Sequence, residues 1–239
     1  MRNTALPIMK KICIVFYSII LGLLPVTYAD SYSGAEPREA RIIRAPIWVF
    51  LEPQPGVMDN DTQGTIQPPR DALIELSKVV LEGMTYGWKF TYTPFDQQRH
   101  VTEEFELTSL HSIAANDDRL SLTNIRVRYP SVYCWAEYRI TDAINKQRLE
   151  WSRARTITSK GVGSADRKLE IDGVRDAYHQ AAHNAIRTYL RKSLKNKPKC
   201  VTGELLIRDN PRLYVAGGKF YAEISIYLSI KDVIPYEVF

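Results

Sequence analysis

The chain has 239 residues with a formal net charge of +5, and 25% of its residues are charged. Three basic residues lie within the first eleven positions, and the remainder of the chain is close to neutral. A nucleic-acid-binding protein would show a clustered basic stripe, so we expect no nucleic-acid partner. A chain of this length can bury one substantial core or two small ones.

The N-terminal segment has the order of a secretory signal peptide. A basic stretch precedes an apolar run over 12–24, and Pro25 and small residues up to Ala29 follow it. This run is shorter than the roughly 20 apolar residues that a membrane-spanning helix needs. We therefore predict a cleavable signal peptide over 1–29 and an exported, periplasmic protein, with an uncleaved anchor as the alternative. No later segment is apolar enough to span a membrane.

The cysteines fit an exported protein without a lipid anchor. Cys13 lies at the start of the apolar run, whereas acylated lipoproteins carry a cysteine directly after it. Signal cleavage would leave Cys134 and Cys200 in an oxidising compartment. We expect these two to lie close enough for a disulfide, and two buried free thiols are the alternative.

The first half of the mature chain predicts a strand, a loop and a helix after a flexible leader. The leader covers 30–40, where residues are polar and small. An apolar run over 45–51 predicts a strand covered on both faces. A polar loop over 56–67 leads to Pro68 and Pro69, which open a helix with apolar residues at every third or fourth position.

Aromatic residues recur at every second position directly after this helix. They predict a strand with one aromatic face. Together with aromatic residues on a later strand, they form a candidate platform for binding protein or glycan. Burial in the core is the alternative interpretation. The candidate binding residues are Tyr86, Trp88, Phe90, Tyr92 and Trp135, with Tyr133 beside Trp135.

The middle of the chain predicts further strands, over 101–110, 122–129 and 132–140. A polar turn then leads into a segment of alternating residues over 148–158. We predict that 132–140 and 148–158 form a β-hairpin.

A second helix is predicted after a glycine-containing link. Gly161, Gly163 and Ser164 predict the flexible link, and Asp172 can cap a helix that extends to about Leu194. Several alanines on its apolar side would let this helix lie close against a sheet or another helix.

The C-terminal section predicts strands only. Segments 213–216 and 219–230 flank Gly217 and Gly218, which predict a type I′ β-hairpin. The fold class is therefore α+β, with two helices packed on a mostly antiparallel sheet and a C-terminal β-hairpin. We expect a single domain over 41–239, and a boundary near Pro198 is the two-domain alternative.

Two patterns imitate metal sites, and each lacks a required residue. His179 and His183 share one helix face, but the glutamate of the HExxH signature is absent and no third ligand is identifiable. Asp59 and Asp61 imitate the start of a calcium loop, but the twelfth position of that loop is Arg70 instead of an acid. We expect no bound metal.

The sequence also contains no specific catalytic pattern. Glu103 faces one side of its predicted strand while Glu104 and Glu106 face the other, so an exposed strand explains all three. The chain contains no nucleophile elbow and no phosphate-binding glycine loop. We therefore assign no catalytic residues, expect no cofactor and favour a non-enzymatic role.

The segment from Val132 to Leu194 carries a resemblance. It has a strand, a turn, a second strand around Trp151, a glycine-containing link and an alanine-rich helix. This order resembles small α/β domains of bacterial envelope accessory proteins, such as the N-terminal domain of TolB, the curli-secretion lipoproteins and auxiliary components of lipid transporters. The resemblance implies docking to other envelope components without chemistry. The segment from Gly83 to Trp88 is also similar to uncharacterised exported proteins of spirochaetes.

The sequence therefore predicts an exported accessory protein of the periplasm or envelope that binds envelope proteins and possesses no enzymatic activity. Self-association is one form that such binding can take. A soluble receptor for a small ligand or glycan is the first alternative, and a hydrolase with a non-local active site is the second. A protein partner should appear in crosslinking pull-downs from envelope fractions, and a ligand receptor should show a thermal shift with a panel of metabolites. An enzyme needs a pocket with converging titratable groups.

Overall fold

Nine strands and three α-helices make up the part of the chain that the computed structural model describes, residues 41–52, 68–153 and 156–236. The predicted signal peptide, the leader and the calcium-like Asp59–Asp61 segment lie outside this part. In chain order the elements are β1 (Arg41–Phe50), α1 (Pro69–Thr85), β2 (Trp88–Thr93), β3 (Glu104–Ser109), β4 (Leu120–Arg128), β5 (Ser131–Ile140), α2 (Asp142–Trp151), β6 (Ile157–Asp166), α3 (Glu170–Ser193), β7 (Cys200–Ile207), β8 (Arg212–Ala216) and β9 (Lys219–Ile234).

The smaller sheet has three antiparallel strands in the order β1, β5, β4. Buried and open positions alternate along β1 and β5, so one face of this sheet contributes to the core. The pairing of β4 with β5 is interrupted between Thr123 and Arg126, and Asn124 has a φ of 56°. This irregularity is a β-bulge, a common feature of sheet edges.

The larger sheet has the order β3, β2, β7, β9, β6, and all of these pairs are antiparallel. β8 also pairs with β9, and Ala216 lies opposite Lys219 across Gly217 and Gly218. Both glycines have positive φ, at 53° and 72°, which residues other than glycine rarely adopt. The two strands thus reverse direction within two residues.

Gly161 and Gly163, predicted as a flexible link, lie instead within β6 and pack against α3. A Cβ atom at either position would come closer than 3.0 Å to backbone atoms of α3, around Ala181 in both cases. Glycine is needed here because the strand and helix backbones approach each other closely. The alanines of α3 face this contact, as the sequence predicted for a closely packed helix.

The predicted hairpin of 132–140 and 148–158 is wrong, because α2 occupies the segment between β5 and β6. Thr141 caps this helix by accepting a hydrogen bond at Oγ1 from the amide of Ile144, at 3.3 Å. Asp142 in the first turn also suits the positive end of the helix dipole. β5 and β6 consequently belong to different sheets.

The α+β class is confirmed, but the described residues contain three helices where two were predicted. α1 and α3 correspond to the predicted pair, and they pack on the sheets. Asp172 does not cap α3. Leu169 occupies the N-cap position, and Asp172 lies in the first turn with its carboxylate 2.8 Å from Arg175 Nη1.

A continuous set of buried apolar side chains from both sheets, α1 and α3 forms the core. The described residues belong to one compact unit. Pro198 lies between α3 and β7, and β7 pairs with β2 from the first half of the chain. Within the described residues, no helix combines the length and apolar character that a bilayer crossing requires.

Candidate functional site

The predicted platform strand contributes its aromatic side chains mainly to the core. Trp88, Phe90 and Tyr92 are all buried on the inner face of β2. Tyr86 is half-buried and forms the C-cap of α1 instead of belonging to β2. Trp135 on β5 is also half-buried, with the Arg44 guanidinium 4.8 Å from its ring centroid. The core interpretation of the aromatic strand therefore describes three of these five positions.

The hydroxyl of Tyr86 belongs to an internal polar network. It lies 3.1 Å from the hydroxyl of the fully buried Tyr138, which in turn donates to Asp117 Oδ2 at 3.1 Å. Hydrogen bonds from Arg119, with a smaller contribution from Tyr138, lower the pKa of Asp117 to about 2. The network connects β5 with the turn before β4, so the Tyr86 hydroxyl stabilises the fold.

Cys134 and Cys200 are both free thiols in the structure. Cys134 is buried on β5 of the smaller sheet, and burial raises its pKa to about 11. Cys200 starts β7 in the larger sheet. The two residues lie on strands of different sheets, and no disulfide joins them in the structure.

A cluster of polar side chains joins β2, the start of β3 and α3. We call it the Glu103 cluster, and it consists of Tyr92, Glu103, His183 and Arg187. Tyr92 donates a hydrogen bond of 2.7 Å to Glu103 Oε1. The same oxygen lies 3.4 Å from His183 Nε2 and 3.5 Å from Arg187 Nε. The His183 ring also stacks on Phe105, with 4.9 Å between centroids.

The sequence singles out Glu103 and His183 separately, but it does not predict that they lie together. The sequence predicts an exposed strand position for Glu103, whereas Glu103 is half-buried and Glu104 and Glu106 are exposed. The spacing of His179 and His183 predicts that they share one helix face, and the two do line one groove. No group of three metal-ligating side chains occurs among the described residues.

The surroundings of the cluster set its protonation states. Burial alone would raise the pKa of Glu103, but the Tyr92 hydrogen bond and the Arg187 charge bring it below its usual value. Burial, assisted by Arg187, lowers the pKa of His183 against the opposing effect of Glu103. Burial and the bond to Glu103 raise the pKa of Tyr92. At neutral pH the cluster thus contains a carboxylate, a neutral imidazole and a phenol.

The lowered histidine pKa values predict a loss of stability in mild acid. Burial also lowers the pKa of His179. Below about pH 6.5 the unfolded chain takes up protons at both histidines that the folded chain does not, so the free energy of unfolding should fall. Each such proton contributes at most about 1.4 kcal/mol per pH unit, and the decline ends below the folded pKa values.

Urea unfolding between about pH 8 and about pH 5 measures this effect. His183→Gln should give a shallower decline than the native chain, because it removes one of the two histidines with a lowered pKa. Equal slopes for the native chain and His183→Gln would contradict the assignment to His183. The lowered pKa of Glu103 and Asp117 should add a second loss below about pH 4.

Two open pockets flank the Glu103 cluster, and Glu103 and Arg187 line both. The first, of about 770 Å³, is a polar groove that includes His179, His183 and Asp176. The second, of about 280 Å³, lies between α3 and the end of β2. The cluster is therefore accessible from two sides.

A different exposed feature lies on β4, at the edge of the smaller sheet, and on Tyr129 directly after it. Ile125, Val127 and Tyr129 are 58%, 65% and 76% exposed. Ile125 also borders an open groove of about 520 Å³ with Leu73 and Ile74 of α1. β4 thus presents apolar side chains to solvent beside a strand edge with which no other described strand pairs.

Comparison with known proteins places the chain in a family. One protein-family model matches residues 31–236. An uncharacterized protein of Treponema pallidum (strain Nichols) is 39% identical over 226 residues, which is 94% of this chain and 94% of that protein. The predicted similarity to spirochaete proteins is thereby supported, while the resemblance to envelope accessory domains is not confirmed. No solved structure matches. The chain therefore belongs to the same protein family as the uncharacterized protein of Treponema pallidum.

Proposed function

We propose that this protein is an exported, non-enzymatic accessory protein of the bacterial envelope that binds an extended segment of another envelope protein along β4. The exposed edge of β4 is the observation that carries the proposal. β4 pairs with β5 on one side, and among the described strands none pairs with its other side. An unpaired edge can accept a further strand through backbone hydrogen bonds.

The side chains of β4 support binding at this edge. Isolated apolar side chains are common on protein surfaces, but Ile125 and Val127 occupy one edge strand and Tyr129 follows it directly. The adjoining groove with Leu73 and Ile74 provides space for apolar side chains of an added strand. Strand addition gains affinity from the backbone and specificity from such pockets.

The charges around β4 favour an acidic partner. Arg126 and Arg128 are exposed on β4, and Arg70 lines the adjoining groove. None of the three forms a salt bridge with another described residue. Acidic side chains on a partner strand would complement them and guide association. The predicted partner segment is thus extended, partly apolar and acidic.

The same charges argue against a second copy of this chain as the partner. Two β4 edges paired with each other would bring Arg126 and Arg128 of both copies together without acidic residues between them. Like charges placed opposite each other across strands are destabilising. Self-association through β4 is therefore less favoured than binding of a different, acidic protein.

Site-specific photo-crosslinking in the envelope tests the proposal. A benzophenone amino acid at Val127 should yield a crosslinked product, and the same group at Val162 on β6 should not. Val162 is 49% exposed on an edge strand of the other sheet, so it is a matched control. Reversal of both charges by Arg126→Glu and Arg128→Glu should reduce the product at least about tenfold.

Mass spectrometry of the product decides between partners. An acidic, extended segment of a second protein supports the proposal. A product with the mass of two copies of this chain would contradict it, as would equal products from Val127 and Val162. Insensitivity to the double charge reversal would also overturn the proposed recognition.

A further inference from the structure

The pocket at the C-terminal end of α3 combines basic and apolar side chains. We infer that it binds a small amphiphilic anion, with a carboxylate or phosphate head held by basic side chains and an apolar body resting on Phe95. This site is separate from β4 and does not depend on the proposed partner. The basic residues that line it are Arg187, Arg191, Lys195 and Lys197.

Few acidic groups among the described residues balance the positive charge of this pocket. Arg191, Lys195 and Lys197 form no salt bridge with another described residue, and Glu103 is the single carboxylate among the residues lining the pocket. Arg187 and Arg191 are four residues apart on one helix, an arrangement of like charges that destabilises a helix. A bound anion would relieve this repulsion.

The helix dipole explains only part of this arrangement. Arg191 lies in the last turn of α3, where a cation interacts favourably with the carbonyl end of the helix. Arg187 lies before the last turn, where that effect has faded. Its guanidinium instead faces Glu103 at 3.5 Å, which keeps it at the boundary of the pocket.

Glu103 does not prevent an anion from binding. Its Oε1 atom accepts the hydrogen bond from Tyr92 and lies beside both His183 and Arg187. Since the Arg187 guanidinium balances its charge, three further cations line the pocket without a carboxylate counter-charge among the described residues. The pocket as a whole therefore attracts negative charge.

The apolar part of the pocket points to an amphiphile instead of a bare inorganic anion. Phe95 is 52% exposed, and Leu190 and Leu194 of α3 line the same pocket. A binding site that joins an apolar wall to a few charged groups is typical of small-molecule recognition. The volume of about 280 Å³ suits a small ligand.

Isothermal titration of the mature protein with decanoate and decyl phosphate tests the inference. We expect both to bind, and we expect acetate and inorganic phosphate to bind at least tenfold more weakly because they lack the apolar body. Decyl maltoside, which has the same tail without a charge, should also bind at least tenfold more weakly.

Variants assign the binding to this pocket. Arg191→Gln should weaken decanoate binding about tenfold, and Phe95→Ser should weaken it while preserving any residual binding of acetate. Lys192→Gln is the matched control, because Lys192 is the next residue of α3, is also exposed and does not line this pocket. Circular dichroism of each variant establishes that the fold is retained.

Four outcomes would overturn the inference. They are absence of decanoate binding, equal binding of decyl maltoside, equal weakening by Lys192→Gln and Arg191→Gln, and binding to anionic phosphatidylglycerol vesicles without binding to monomeric decanoate. The last outcome would indicate a membrane surface as the ligand. None of these results depends on whether β4 binds a partner strand.

Discussion

Gly163→Ala is expected to lower the free energy of unfolding by about 3 kcal/mol. The added Cβ would meet the carbonyl oxygen of Ala177 and the amide nitrogen of Ala181, both backbone atoms of α3. Backbone atoms cannot move aside as a flexible side chain can, so α3 would have to shift away from β6. Urea unfolding followed by circular dichroism measures the loss.

Val162→Ala is the matched control for this change. Val162 neighbours Gly163 on β6 but is 49% exposed, so its side chain is not confined by α3. We expect a loss of no more than about 1 kcal/mol, due mainly to the lower strand propensity of alanine. Equal losses for the two variants would show that β6 and α3 are not in close contact.

Sequence periodicity predicted the elements that bury a continuous apolar stripe. α1 and α3 have apolar residues at every third or fourth position, and β5 and β9 alternate along their length. Both patterns arise because one side of each element faces the core. α2 has no buried residue, so it lacks such a stripe, and its main sequence signal is the Thr141 cap.

The sequence predicts a flexible link at Gly161 and Gly163, and this prediction is wrong because local sequence does not show tertiary contacts. Glycine within a sequence indicates either conformational freedom or a close approach of another backbone, and the local pattern does not distinguish the two. At Gly161 and Gly163 glycine is needed because the α3 backbone approaches β6 closely. That contact depends on the tertiary arrangement of β6 and α3.

The Glu103 cluster also depends on contacts between residues that are distant in sequence. The spacing of His179 and His183 correctly placed both on one face of α3. Their neighbour Glu103 is distant in sequence and is brought to α3 by the position of β3 in the larger sheet. Similarly, alternation predicted a strand near β4, but only the sheet order identifies β4 as an edge.

The second large effect is expected for Phe90→Ala, which should lower the free energy of unfolding by about 3–5 kcal/mol. Phe90 is 1% exposed, and its ring occupies the space above Gly203 on β7, where a Cβ would lie 2.7 Å from ring atoms. Removal of the ring would leave a cavity between β2 and β7 that neighbouring side chains fill only in part.

Phe95→Ala makes the same chemical change at a position that is 52% exposed, and we expect it to cost no more than about 1 kcal/mol. Denaturant unfolding of both variants separates the two interpretations of the aromatic strand. If Phe90 belonged to a surface binding platform, its loss would reduce binding and leave stability close to that of Phe95→Ala. A large loss confined to Phe90→Ala would instead establish the aromatic face of β2 as core, because only a buried ring leaves a cavity when it is removed.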